Sequence, residues 1–289
     1  MESLISRHVI LSILFLSIIS SALFLFKIFD NQQKLVFCDV GQGDGVYIRL
    51  KNSIDILIDA GPESTGMSEC LNKNMQPFDK TIDYVFITHP QIDHYGGLIS
   101  VFGHYTIKHL YVSPIISTNV LYTQLLKEAT KQKTDISPIF AGNLLTIKDI
   151  TIYVLWPTKN YIKSYALENK KSNMYAPILD DNNYSLIMNI NINQSNYLLT
   201  GDAPIEILEE VLINRKKTQK ITILKVSHHG SLTGLSERLL DLADPTEAVI
   251  SCGRNNKYKF PNKNVLKLLQ SHHIIIRRTD KEKDIIYPL

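Results

Sequence analysis

The sequence predicts a layered α/β fold built on mixed sheet. Strand-like runs come in a block and then alternate with helix-like runs, and this happens twice along the chain. Several apolar strands stop abruptly on polar residues, at His89, Asp202 and His228, as happens where a site is built at strand ends. A chain of 289 residues that is 44% hydrophobic and 20% charged can bury a substantial core, and this excludes a disordered tail, a collagen-like repeat and a coiled coil.

The elements follow in order. VFCDV (36–40) and VYIRL (46–50) read as strands around a Gly-rich turn, and IDILIDA (54–60) as a third strand stopped by Gly61-Pro62. The apolar run YVFITH (84–89) is a buried strand. Helices are expected over 94–103 and 118–132, then strands at TIYVLW (151–156), YSLIMNI (184–190) and NYLLTGD (196–202). Pro204 sits where a first helical turn starts, ahead of a helix over 205–214. ITILKVSHH (221–229) reads as a strand, 236–242 as a helix, EAVISC (247–252) as a strand, 262–270 as a helix and HIIIRRT (273–279) as the last strand. Residues 157–183 are the least regular stretch and read as a long loop or insertion. Three cysteines, none in a CxxC, exclude a disulfide scaffold and a Cys-based zinc knuckle. Cys38 reads as a small core residue on its strand.

Residues 9–26, VILSILFLSIISSALFLF, carry no charge and no polar face at helical period. As a helix they reach roughly 27 Å, near the thickness of a hydrocarbon core. Ser20-Ser21-Ala22 could pass for a signal cleavage site. The run continues beyond it, which favours a retained single-pass anchor over 9–29. The reading is thus an anchor or uncleaved signal over 1–30 and a soluble domain over 31–289. Flanking charges barely discriminate orientation, and the short N-terminal tail is compatible with a body outside the cytoplasm.

Four phrases carry chemistry. In His89-Pro90-Gln91-Ile92-Asp93-His94-Tyr95-Gly96-Gly97, a turn after an apolar strand can aim His89, Asp93 and His94 at one point. Imidazoles with a carboxylate suit zinc or manganese. Leu198-Leu199-Thr200-Gly201-Asp202 delivers a carboxylate at a strand tip, although an aspartate there is equally a helix N-cap. In Lys225-Val226-Ser227-His228-His229-Gly230-Ser231, a regular strand turns only one histidine to a given face, and the turn at Gly230 can re-aim the other. The turn in Asp39-Val40-Gly41-Gln42-Gly43-Asp44 is, alone, no more than a hairpin.

Together with LIDAG, NNYSLIMNI, SCGRNNKYKFP and a late RTD, these phrases resemble the metallo-β-lactamase superfamily. The finer likeness is to the C-terminal hydrolase domain of ComEC-type DNA-internalisation competence proteins, over residues 35–280 and without their channel helices. The resemblance implies an αββα sandwich with zinc or manganese, one or two ions, held at one edge. It makes His89, Asp93, His94, Asp202 and His228 the metal ligands, with Asp202 bridging. Asp59 is implied as a support that holds the metal loop by hydrogen bonds. Gln91 stands where the superfamily's HxHxDH has its second histidine, and Asp180, Asp181, Asn182 and Asn183 stand where many members place a further one. Gln91 and Asn183 are therefore weak donors, and one tight ion with a weaker second is expected. Phe260 replaces the histidine of a Gly-His-Pro phrase and cannot donate a proton.

The implied chemistry is hydrolysis by a metal-activated water. Asp93 or Asp202 orients the nucleophile, His229 protonates the leaving oxygen, and single-stranded DNA is the implied substrate. Ser231, Lys257 and Tyr258 are candidates for binding it. A net charge of +3 argues for no partner, but the charge is uneven. Residues 31–210 hold 14 Lys and Arg against 19 Asp and Glu, whereas residues 211–289 hold 15 against 7. A basic side that includes Lys216, Lys217, Lys225, Lys257 and Lys259 would attract phosphates, and Tyr258 can stack on a base. The same residues also suit an ordinary solvated face. Two other functions stay open: a catalytically degenerate member that binds nucleic acid or a partner, favoured by Gln91 and Phe260, and a metallohydrolase acting on another small ester.

Overall fold

The structure is a computed structural model that describes residues 2–29, 32–115, 117, 119–168, 181–215 and 220–289. A helix α1 (Glu2–Phe29) leads into β1 (Lys34–Phe37), β2 (Val46–Leu50), β3 (Ile54–Ile58), α2 (Gly66–Asn74), β4 (Thr81–Ile87), α3 (Ile92–Tyr95), α4 (Leu98–Phe102), β5 (Thr106–Val112), α5 (Val120–Lys131) and β6 (Asp135–Pro138). The second half runs β7 (Leu144–Ile147), β8 (Ile150–Trp156), α6 (Lys159–Glu168), β9 (Ile187–Ile192), β10 (Ser195–Leu199), α7 (Ile205–Asn214) and β11 (Ile223–Lys225). It ends with α8 (Glu237–Ala243), β12 (Glu247–Ile250), α9 (Lys263–Ser271), β13 (Ile275–Arg278), α10 (Thr279–Glu282) and β14 (Ile285–Pro288).

Among the described residues the strands form two seven-stranded sheets, ordered β14-β1-β2-β3-β4-β5-β6 and β13-β12-β11-β10-β9-β8-β7. Both are mixed. β1, β2 and β3 pair antiparallel while β3 to β6 run parallel, and β7 to β10 pair antiparallel while β10 to β13 run parallel. β14 brings the chain end back antiparallel beside β1.

Period-two alternation builds the layers. In β2, Val46, Ile48 and Leu50 enter a core shared with Met188, Ile190 and Leu199 of the other sheet, while Tyr47 joins the opposite core under α2, α4 and α5. The second sheet repeats this, with Leu198, Leu224 and Ala248 packed under α7, α8 and α9. The result is helix, sheet, sheet, helix. α5 shows why the outer helices settle as they do. Asn119 caps it by accepting from the backbone N–H of Leu121 and Tyr122, and Tyr122, Leu125 and Ala129 make one buried face.

Several expectations change. The helix foreseen over 94–103 is two short ones broken at Gly96-Gly97. Residues 157–183 contain α6, and residues 169–180 of that stretch, with Asp180, lie outside the described residues, as do Lys216 and Lys217. The strand expected through 229 ends at Lys225. Cys38 lies beyond β1 and forms a disulfide with Cys70 of α2. The expected single-pass anchor is corrected too: among the described residues no helix is long and apolar enough to cross a membrane.

Candidate metal centre

The parallel strands β4, β10 and β11 end on the same side of the sandwich, and the loops after them carry the polar phrases. His89 follows β4, Asp93 and His94 lie in α3, Asp202 follows β10, and His229 lies in the turn after β11. The loop between β1 and β2 adds Asp44, and the end of β3 adds Asp59.

His89, His94, Asp202 and His229 are almost wholly buried, as are Asp44, Asp59 and Lys225. Asp93 is the exception, with 26% of its side chain exposed. The His89 and His94 rings lie 4.1 Å apart, and those of His94 and His229 5.4 Å apart. His94 Nε2 is 3.3 Å from Asp202 Oδ1, and His229 Nε2 is 3.4 Å from Asp202 Oδ2 and 3.5 Å from Asp93 Oδ2.

Asp59 acts from behind. With φ 56, it takes a left-handed backbone that costs of order 1–3 kcal/mol. Its carboxylate accepts from Thr88 N at 2.8 Å, from Thr88 Oγ1 at 2.7 Å and from His94 Nδ1 at 2.8 Å. His229 is oriented in a similar way, with Nδ1 3.1 Å from the Ser251 carbonyl. Such hydrogen bonds fix ring orientation and leave Nε2 as the ligating atom.

Charge accumulates here. Burial and the neighbouring His94 lower the His89 pKa to about 3, although Asp202 and Asp93 pull the other way, so its ring is neutral. His94 and His229 are held well above the usual imidazole value: burial alone would lower them, and the Asp202 carboxylate overrides it, joined by Asp59 and Asp44 respectively. Asp202 sits well below the carboxylate range because His229 and His94 outweigh its burial. The burial of Asp93 would raise it, but His229 and His94 bring it to about 2.

The donor set fits a divalent cation. Nε2 of His89, His94 and His229 and Oδ1 of Asp44 and Asp202 are buried and have no hydrogen-bond partner. His94 gives its Nδ1 proton to Asp59, so Nε2 presents a lone pair to an Asp202 oxygen 3.3 Å away. Only a proton or a cation reconciles those two lone pairs. His89, His94 and Asp202 make one triad of ligand atoms within 4.8 Å of one another, and Asp93, His94 and His229 make another.

The turn after β11 decides which histidine joins. His228 (φ 51) and His229 (φ 54) are both left-handed, so the alternation of a strand no longer applies. His229 enters the cluster. His228 stays half-buried, with Nδ1 3.3 Å from Thr233 Oγ1 and its ring edge-on to Phe260 at 5.9 Å. Gln91 donates to Asn182 Oδ1 at 2.6 Å, and Asn183 accepts the Trp156 indole N–H at its backbone carbonyl. Ser231 Oγ meets Thr233 Oγ1 at 2.9 Å.

Two members of the cluster went unmarked by sequence reasoning. Asp44 belongs to a turn that reads as a bare hairpin. Lys225 reads as part of a basic surface, yet its ammonium is buried against Asp44, donates to the Gly201 carbonyl at 2.9 Å and lies 3.7 Å from Asp202 Oδ1. A lysine inside the apolar run ITILKV was the available signal, since buried lysines are rare without a partner.

In front of the cluster lies a cleft of about 840 Å³, lined by Gln42, Gln91, Asp93, Asn119, Lys257 and Tyr258 among others. Lys257 Nζ sits 4.9 Å over the Tyr258 ring, which stacks on Phe260 at 5.5 Å. A separate cavity of about 590 Å³ lies between β8, β9 and α7, around Tyr153, Trp156 and Asn191.

A profile of the metallo-β-lactamase superfamily matches residues 38–254, which include every residue of the cluster. The chain belongs to the metallo-β-lactamase superfamily. It is 28% identical over 282 residues to ComE operon protein 3 of Bacillus subtilis, covering 92% of this chain and 34% of that protein. It is 38% identical over 99 residues to Recombination protein 2 of Haemophilus influenzae, covering 34% of this chain and 12% of that one. The ComEC-type likeness read from the motifs is thus shown, and the chain spans about a third or less of these relatives' length. Among solved structures, the metallo-β-lactamase fold protein YhfI of Bacillus subtilis superposes with a TM-score of 0.57 at 14% identity, over 88% of this chain and 99% of that one. The metallo hydrolase Igni18 of Ignicoccus hospitalis gives 0.55 at 13% identity, over 89% and 99%. These share the fold, which binds divalent metal ions.

Proposed function

We propose that this metallo-β-lactamase domain is a metal-dependent hydrolase acting on phosphodiester bonds of single-stranded DNA. The observation that carries the reading is the convergence of unpartnered ligand atoms from His89, His94, Asp202 and His229 directly beneath a cleft whose rim presents Lys257 and Tyr258. A divalent cation held there supplies Lewis acidity and makes water acidic enough to attack at neutral pH.

The chain's own residues do the rest. Asp93 is half in the cluster and half in the cleft, so it can orient an attacking water. His229 would serve as a donor to the cation, which leaves half-buried His228 as the histidine able to accept a proton, since burial lowers its pKa. Lys257 attracts a phosphate and Tyr258 offers a ring face to a base. The likeness to ComEC-type DNA-internalisation proteins agrees with a DNA substrate.

The test is cleavage of single-stranded DNA by residues 31–289 with Mn²⁺ or Zn²⁺, beside the Asp93→Ala and His94→Ala variants. Cleavage lost in both variants supports the reading. A second reading, a nucleic-acid binder without turnover, is favoured by Gln91, whose amide is engaged by Asn182. DNA binding and metal uptake without cleavage would select it.

A further inference from the structure

We propose that Lys225 takes the place of a second cation, so that the centre carries one divalent ion per chain. The inference rests on the metal-centre reading above and concerns how many ions the cluster holds.

Four groups of donors in the cluster have spacing suited to a cation: His89, His94 and Asp202; Asp93, His94 and His229; Asp44, Asp59 and His94; and Asp44, Asp202 and His229. They reduce to one position. His94 Nδ1 is committed to Asp59 Oδ2 at 2.8 Å, with Thr88 Oγ1 also 3.3 Å from it, so a cation reaches His94 only through Nε2. That removes the group with Asp44 and Asp59, whose oxygens face Nδ1. The first two groups both need the Nε2 lone pair, and one lone pair binds one ion. They are two views of a single position whose donors come from His89, Asp93, His94, Asp202 and His229.

The fourth group does not use His94, but its His229 has only Nε2 to offer, since Nδ1 faces the Ser251 carbonyl, and that atom belongs to the first position. The oxygens of Asp44 and Asp202 remain, and there Lys225 intervenes. Its ammonium has three N–H donors and no acceptor. It meets three oxygens: an Asp44 carboxylate oxygen in direct contact, the Gly201 carbonyl at 2.9 Å and Asp202 Oδ1 at 3.7 Å. The arrangement is closed, since Lys225 and Asp44 are both nearly fully buried.

Charge balance agrees. Asp44, Asp59 and Asp202 bring three negative charges to a buried region, and partly exposed Asp93 adds a fourth at the cleft. Lys225 with one divalent ion balances the three buried carboxylates, whereas a second ion leaves two positive charges in excess, with only the partly exposed Asp93 to offset them. Buried charge is costly unless paired, and an ammonium fixed 3.7 Å from a shared carboxylate repels a further dication. Outside the cluster, the remaining group of suitable spacing among the described residues, Cys38, Cys70 and Asp284, is closed by the disulfide.

The experiment counts metal rather than turnover. Full-length protein is incubated with excess Mn²⁺, passed through a desalting column and assayed by elemental analysis and electron paramagnetic resonance. The expected result is one equivalent per chain with the six-line signal of an isolated ion. Lys225→Met frees the Asp44, Gly201 and Asp202 oxygens that the ammonium meets and is expected to hold two equivalents with an exchange-coupled signal. Lys225→Arg keeps the charge and stays at one. Two coupled ions in the wild type, or one ion in a folded Lys225→Met, would overturn the proposal. If Lys225→Met does not fold, the wild-type and Lys225→Arg counts decide it. An absence of bound metal overturns the metal-centre reading itself, and one tightly bound ion without DNA cleavage overturns only the assigned substrate.

Discussion

His94 donates its Nδ1 proton to Asp59 Oδ2 at 2.8 Å, and the same carboxylate is held by both the N–H and the hydroxyl of Thr88. This contact links the end of β3 to the loop after β4 and turns His94 Nε2 toward Asp202. Asp59 touches no substrate; it positions a ligand. Asp59→Ala leaves the Thr88 donors and the His94 ring unanchored in a buried site. Metal affinity is expected to fall roughly 10–100-fold, the usual loss when an orienting partner is removed. Titration calorimetry with Mn²⁺ reads this directly, and unchanged affinity would show that His94 is held by packing alone.

Gly43 and Gly41 separate two roles of glycine in one turn. Both have positive φ, 151 and 84. A Cβ on Gly41 meets nothing within 4 Å, so Gly41→Ala carries only the conformational cost, about 1–2 kcal/mol. A Cβ on Gly43 would lie 2.1 Å from the backbone oxygen of Asp93, the atom that accepts from Asp44 N. Gly43→Ala must push the Asp44 loop off the Asp93 loop. It is expected to weaken Mn²⁺ binding as well as stability, while Gly41→Ala loses stability alone. Urea melts paired with metal titrations separate the two. Equal metal affinity in both variants would contradict this role for the close approach.

The cysteines give a thiol count. Cys38 and Cys70 are joined, while Cys252 is buried and its thiol, raised first by burial and then by Asp280, stands at about 12. Native protein at pH 8 is expected to show no reactive thiol, unfolded unreduced protein one, and reduced unfolded protein three. The sign with pH also follows. An unfolded cysteine ionises near 8.5–9 whereas the folded one keeps its proton, so Cys252 contributes stability below pH 9 that is lost as pH rises toward 12. The disulfide closes a separation of 32 residues, and Cys70→Ser is expected to cost roughly 2–4 kcal/mol.

The strand-ending histidines and carboxylates were legible because the chemistry is local: an apolar run delivers a side chain to a sheet edge, and Asp93 and His94 share one helical turn. What was not legible depends on pairing across the fold. Cys38 meets Cys70 only because the chain after β1 packs against α2. Lys225 is buried because Asp44, 181 positions earlier, lies against it. The choice between His228 and His229 turned on two left-handed residues, a conformation that period-two reasoning does not contain. The edge strands β6, β7 and β14 were hidden because most of their residues stay partly exposed, which leaves no apolar run to read, and β5 alternates exposed and buried residues in the same way.

The last prediction concerns the rim. Tyr258 is 52% exposed, stacked on Phe260 at an interplanar angle of 18°, and lies beneath Lys257 Nζ. Phe260 in turn meets the His228 ring, so the aromatic pair runs from the cleft mouth to the histidine turn. If the pair supports a base, Tyr258→Ala should weaken single-stranded DNA binding by about 1–3 kcal/mol with little change in salt dependence. If Lys257 contacts a phosphate, Lys257→Ala should reduce the slope of log affinity against log salt by about 0.7, the single-strand value for one contact. Fluorescence anisotropy with an oligonucleotide at several salt concentrations separates the two, with metal binding unaffected in either variant. A small phosphodiester with no base should be hydrolysed equally well by wild type and Tyr258→Ala; a large loss on that compound would mean that Tyr258 shapes the centre itself rather than gripping a strand.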